Sequence, residues 1–259
     1  KNGGIFMSSE IAFTNTALES FAALVTFVLL FACIAKIKMQ RGIKHVTSKN
    51  AKRNTLDYIL IIWLVIHMIV LTADVLSWTA MDFGKNEVWL LFMLNLTFTC
   101  LFLECMVYTY YVKETIYQHE MIGNTYVYLV MLSTVIAIIL WITSDISGKF
   151  YYLDTQGNYT QGSMYWLCQF YCIIVMCGNI VILLKHRKAL VRHDVLSLLM
   201  YGLIPIASIP AQMLWKSTTF NLATTLALIY ICISVHMAQY DRIVEQEKLL
   251  IQQEHELSM

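Results

Sequence analysis

The stretch NLATTLALIYICISVHMA, residues 221–238, runs without a glycine or proline into QYDRIVEQEKLLIQQEHELSM, residues 239–259. The first part is apolar over about the length that crosses a bilayer and the second is charged, so one helix is expected to leave the membrane and continue into water. At 1.5 Å per residue that rod measures roughly 55 Å. In its charged part Ile243, Leu250 and Leu257 recur every seven residues, with Gln239, Gln246 and Gln253 at the complementary seam positions. Val244, Leu249 and Ile251 widen the stripe. The pattern predicts a short parallel coiled coil, weakened by its glutamines and therefore able to shift register or rotate. The competing expectation is a lone amphipathic helix on the membrane surface. A seam that reaches Leu257 without a cap predicts that the helix runs on into a further domain.

Upstream, six more apolar stretches cover residues 17–35, 58–78, 88–112, 126–143, 165–184 and 195–214. With 58% apolar residues in a chain of 259 and a mean hydropathy of +0.62, the composition excludes an ordinary soluble domain. Each stretch is expected to be a helix, because a backbone facing lipid must satisfy its own hydrogen bonds. The expected fold is an all-α membrane protein: a seven-transmembrane helix bundle over residues 1–238, its last helix extended into a cytoplasmic coiled coil over 239–259.

The net charge of +1 says little, but its distribution orients the chain. Lys36, Lys38, Arg41, Lys44, Lys49, Lys52 and Arg53 follow the first span; Lys185, Arg187, Lys188 and Arg192 follow the fifth. Lys113, Arg242 and Lys248 fall on the same side, against Lys1, Lys85, Lys149 and Lys216 on the other. The excess of basic residues on one side places the N-terminus outside and the C-terminus in the cytoplasm of a plasma (inner) membrane. The basic loop over 36–53 also suits anionic lipid headgroups, making membrane lipid the first expected partner.

All seven cysteines fall inside apolar spans, so no disulfide framework, metal site or cofactor is expected, and Cys168 and Cys172 read as small packing residues. The outer loops are short except for residues 144–164, where Phe150-Tyr-Tyr-Leu-Asp154 precedes Gly157 and Gly162. Aromatic residues around turn formers predict a β-hairpin at about 149–162, suited to act as a lid.

Candidate ligand contacts gather toward the outer ends of the spans. Trp78, Trp89, Trp141, Trp166 and Trp215 lie there with Tyr151, Tyr152 and Tyr165, whereas Trp63 is nearer the other end. Two readings explain this: an interfacial aromatic belt, or an aromatic-lined vestibule for a small molecule. Asp74, Asn95, Gln169 and Gln212 sharpen the second, because polar groups inside spans are expected to face the bundle interior. By helical rise Asp74 lies on the order of 6 Å below Trp78 and Asn95 about 10 Å below Val88. A shared outer cavity follows as an expectation, and with Glu19, Asp82, Glu87, Asp145 and Asp154 counted to the outer face it mildly favours cationic or hydrogen-bonding ligands. His67 and Glu104, deeper in spans 2 and 3, are expected to hydrogen-bond between helices, with proton or ion transport the alternative. The prolines of the chain, Pro205 and Pro210, both lie in span 6 and mark it as the flexing element or as a fixed bend.

These features together resemble the seven-helix sensor regions of bacterial signalling proteins. The likeness rests on seven spans with the N-terminus outside, the Phe150 to Asp154 hairpin leading to Tyr165-Trp166, and the Gln- and Glu-rich helix from Tyr240 to Leu257. It implies a dimeric, non-enzymatic input module joined to an output domain of histidine kinase or diguanylate cyclase type. Neither a phosphoacceptor histidine box, an ATP-binding segment nor a GGDEF sequence occurs in the chain. Combined with the outer aromatic and polar residues above, the expectation is a small ligand bound outside by Asp74, Trp78, Trp89, Asn95, Tyr152, Tyr165, Trp166, Gln169, Gln212 and Trp215. The signal would then pass through Pro205, Pro210, Ile243, Gln246, Leu250 and Leu257 to a homodimeric helix pair; no nucleic-acid partner is expected. A small-solute transporter or channel is the alternative, built on His67, Glu104 and the two prolines.

Overall fold

A computed structural model describes residues 9–42, 48–83, 87–118, 120–121, 123–154, 159–215 and 219–257. Its elements are α1 (Ser9–Gly42), α2 (Ser48–Phe83), α3 (Glu87–Tyr117), α4 (Thr125–Ile142), α5 (Ser144–Ser147), β1 (Tyr151–Leu153), β2 (Tyr159–Gln161), α6 (Trp166–His186), α7 (Arg192–Trp215) and α8 (Thr219–Leu257). Six of the helices are long and apolar enough to cross a membrane, and α8 adds the apolar segment Thr219–Val235. The chain is a multi-span helical membrane protein. Its outward-facing side chains fit that solvent: Phe13, Phe21, Phe27 and Phe31 of α1 and Leu129, Leu132, Val135 and Ile139 of α4 are all exposed. In water such a surface would demand a partner; in hydrocarbon it needs none.

The helices close into a ring of contacts. α1 packs on α2, α2 on α3, α3 on α6, α6 on α7 and α7 on α8, which returns to α1, while α4 packs against α3. Two cores result. One, between α2, α3 and α7, centres on Trp63, fully buried, with its ring centroid 4.4 Å from Tyr201 and 5.6 Å from Tyr108. There the Tyr108 hydroxyl donates to the Leu198 carbonyl at 2.8 Å. Gly202 permits the approach of α7, since a Cβ there would lie 2.9 Å from Ile180 and 3.2 Å from the Tyr108 hydroxyl. The second core lies between α3, α4, α6 and the hairpin and contains Phe102, Trp141, Phe150, Tyr151, Cys168 and Cys172.

The hairpin lies within residues 149–162, with Tyr151, Tyr152 and Leu153 facing Gln161, Thr160 and Tyr159 in antiparallel register. It is docked on the bundle. Ser144, fully buried, accepts from the backbone N–H groups of Phe150 and Tyr151 at 2.9 Å each and donates to the Tyr151 carbonyl at 3.1 Å. Gly148 ends α5 at φ +62, a backbone region costly for other residues. Gly162 has no room for a Cβ, which would collide with the Lys149 carbonyl.

α7 is continuous through Pro205, which is buried, and Pro210, which is exposed. α8 is one helix of 39 residues, and it carries Ile243, Gln246, Leu250 and Leu257, whose side chains lie outside the described residues.

Candidate functional site

Where α1, α2, α3 and α8 meet, polar side chains form a buried chain. The spacing of each helix creates it. On α1, Asn15, Glu19, Ala22 and Thr26 recur at four, three and four residues and share one buried stripe. On α2, His67 and Asp74 stand seven residues apart on one face, and on α8, Asn221 and Thr225 are one turn apart. Glu104 is the carboxylate of α3 that reaches them.

Glu104 Oε1 lies 2.7 Å from His67 Nδ1, and His67 Nε2 lies 2.8 Å from Thr225 Oγ1. His67 is fully buried and Glu104 nearly so. The Thr225 hydroxyl donates to the Asn221 carbonyl at 2.9 Å, so its oxygen accepts from His67 and Nε2 carries a hydrogen. One further proton lies along the Glu104–His67 bond, on the carboxyl or on Nδ1, and either placement satisfies both groups. One turn along α8, the Asn221 side-chain amide donates to Asp74 Oδ2 at 2.7 Å and to Glu19 Oε1 at 3.0 Å, which engages both of its hydrogens. Ser77 donates to the Asp74 carbonyl at 2.7 Å. Four helices are thus tied through two residues of α8.

Three buried donors near the upper end of this chain have no hydrogen-bond partner: Asn15 Nδ2, Trp78 Nε1 and Thr219 Oγ1. Asn15 stands one turn above Glu19, Trp78 one turn above Asp74, and Thr219 two residues above Asn221. At the opposite end of α1, Lys36 and Asp57 form a buried ion pair at 2.6 Å between α1 and α2. Lys36, which the sequence assigned to the basic loop, is therefore a packing partner rather than a solvated charge.

The residues expected to share one cavity divide between two places. Asp74 and Trp78 belong to the polar chain, whereas Asn95 accepts from the Tyr151 hydroxyl at 2.9 Å, against the hairpin. Tyr165 packs there too, its ring 6.1 Å from Phe98 and 6.4 Å from Trp141. Trp89, Tyr152 and Trp166 are exposed at 45%, 45% and 57% and face away from both clusters, as belt residues would. Gln169 is half-buried on α6. The side chains of Gln212 and Trp215 lie outside the described residues. Trp141, counted with the belt in the sequence, is fully buried and stacks on Phe98 at 3.8 Å.

Glu19, Asn221, Thr225 and Asn15 were not among the expected site residues. Glu19 reads in sequence as one more acid of the outer face, yet it is fully buried. The signal that finds it is a carboxylate inside an apolar span, which requires a partner. Asn221 and Thr225 carry no comparable signal, because Asn and Thr near a span end are ordinary.

No protein-family model matches the chain, and no curated protein matches it.

Proposed function

We propose that this chain is the ligand-sensing input module of a bacterial transmembrane signalling receptor. It crosses the membrane seven times, with the N-terminus and hairpin outside and α8 leaving on the cytoplasmic side. The observation that carries this reading is the continuity of α8. The helix whose first two turns hold Asn221 and Thr225, and through them Glu19, Asp74, His67 and Glu104, is the same helix that runs unbroken to Leu257. A change of charge or ligand among those side chains acts directly on the helix that leads to the cytoplasm, with no loop to absorb it. A ligand shifts that helix only through different affinities for its two positions, and α7, packed along α8 and containing Pro205 and Pro210, is the element that yields. The output is a homodimeric coiled coil seamed by Ile243, Gln246, Leu250 and Leu257, feeding a histidine kinase domain. The glutamines keep the seam weak enough to be shifted by about 1–3 kcal/mol of coupling.

The test is cysteine cross-linking in nanodiscs. Gln253→Cys is expected to give an oxidised dimer, and Asn221→Ala is expected to change its rate about fivefold or more. A cross-linking rate indifferent to Asn221→Ala would sink the reading.

The Glu104–His67–Thr225 hydrogen bonds favour one second reading, a proton-coupled transporter of small solutes. That reading requires solute flux in proteoliposomes that Glu104→Gln abolishes.

A further inference from the structure

Cysteines meet in pairs at two places inside the bundle. Cys33 of α1 and Cys232 of α8 share a hydrogen bond between their thiols, and so do Cys105 of α3 and Cys172 of α6. All four are buried with free thiols. Two thiols already in contact are the reduced form that a disulfide requires, so each pair is a place where the chain could lock two helices together.

The charges around the two pairs differ. Lys36 stands one turn from Cys33 on α1, and its ammonium acts on both Cys33 and Cys232, with Asp57, its ion-pair partner, the weaker influence on Cys33. At the other pair, the acidic side chain that acts on Cys105 is Glu104. Exchange with a disulfide goes through the thiolate, a form that a neighbouring ammonium favours and a neighbouring carboxylate opposes. Position separates the pairs as well. Cys33 and Cys232 lie within two turns of Lys38 and Val235, where the apolar segments of α1 and α8 end. A reagent arriving from the aqueous side of that end has the shortest path to them. Cys33 is 5% exposed and Cys232 1%, so Cys33 is the sulfur it meets first.

We propose that Cys33 and Cys232 are a redox modification site, closed to a reversible disulfide between α1 and α8 by exchange with a low-molecular-weight disulfide. The Cys33 thiolate attacks one sulfur of the reagent, forms a mixed disulfide and expels the first reagent thiolate, which takes up the proton that Cys33 lost. Cys232 then attacks the Cys33 sulfur and expels the second reagent thiolate, which takes up the proton of Cys232. Two protein thiols are oxidised by two electrons, and one reagent disulfide is reduced to two thiols. Cys105 and Cys172 stay reduced as packing residues. The inference goes beyond the sensor reading and does not depend on it: the bond joins the first helix to the last whatever α8 carries.

The experiment exposes the full chain in phosphatidylcholine nanodiscs to 4,4′-dithiodipyridine, alkylates the remaining thiols with N-ethylmaleimide in denaturant, and maps the peptic peptides by mass spectrometry without reduction. Cys177, which is exposed, takes a mixed disulfide and reports that the reagent is active. The expected product is a peptide pair joined through Cys33 and Cys232, released by dithiothreitol, with Cys105 and Cys172 alkylated. Lys36→Met with Asp57→Leu removes the ammonium without stranding its partner and is expected to slow the linkage about tenfold, whereas Lys36→Arg keeps the rate. Alkylation of both Cys33 and Cys232 while Cys177 has reacted overturns the inference, and the wild-type chain alone decides this. A mixed disulfide that remains on Cys33 overturns it too, since Cys232 would then be out of reach. Linkage of Cys105 to Cys172 at an equal rate, or a rate untouched by the double variant, overturns the selectivity assigned to Lys36 and the inference with it.

Discussion

The sector built by α3, α4, α6 and the hairpin is held by rings, whereas the junction of α1, α2, α3 and α8 is held by side-chain hydrogen bonds. In the first, Trp141 stacks on Phe98 at 3.8 Å, lies 4.8 Å from Tyr151 and meets Phe102 edge-on at 6.5 Å. In the second, Glu104, His67, Thr225, Asn221, Asp74 and Glu19 form one chain of contacts at 2.7 to 3.0 Å. Ring packing has one good arrangement and resists change in charge. A hydrogen-bonded chain of ionisable groups has several arrangements of protons and partners, and its preferred one depends on what else is bound. The ring sector therefore serves as the frame, and the polar junction is the part with alternative arrangements. The hairpin belongs to the frame: Ser144 bonds its backbone, Gly148 and Gly162 fit close to it, and Tyr151 is buried beneath it.

The largest expected effect breaks the frame. Trp141→Ala removes the ring shared by the hairpin, α3 and α4 and should cost about 3–5 kcal/mol in equilibrium unfolding from mixed micelles. It should also raise amide exchange across residues 151–161. If exchange there is unchanged, the hairpin is not held by this cluster.

A smaller loss is expected at the junction. Glu104→Leu strands His67 Nδ1 and should cost about 1–3 kcal/mol. Adding His67→Leu should recover part of that loss, because it removes the stranded ring nitrogen, while the Thr225 hydroxyl keeps its bond to the Asn221 carbonyl. Additive losses in the double variant would show that the two side chains act separately, against their 2.7 Å contact.

The smallest change separates the two sectors. Tyr151→Phe deletes the hydroxyl that donates to Asn95 and should cost about 1 kcal/mol, without altering cross-linking at residue 253. A change in that cross-linking would mean that the frame and the junction are coupled, and the contrast between them would fail.

Much of this architecture is legible in the chain. The apolar stretches are read directly because bilayer thickness sets their length, and the structure gives six membrane-capable helices with a further apolar segment at Thr219–Val235. The hairpin is marked by Gly157, Gly162 and the aromatic residues around Asp154. Asp74, Asn95, His67 and Glu104 stand out because polar groups are costly in hydrocarbon. Their partners are another matter. The depth of Asp74 and Asn95 follows from helical rise, and depth alone suggested one cavity; which residue each touches depends on which faces of α2 and α3 meet which neighbours.

By itself, then, the sequence determined six membrane-capable apolar stretches, the residues that need internal partners, and the unbroken run of α8, because hydropathy, desolvation cost and the absence of helix breakers are local properties. Only the tertiary structure decided that Asp74 meets Glu19 through Asn221, that Asn95 meets Tyr151 instead, and that Trp141 is core rather than belt. Those outcomes depend on the rotation of each helix about its axis, which is settled by ring and hydrogen-bond contacts between residues up to 202 positions apart.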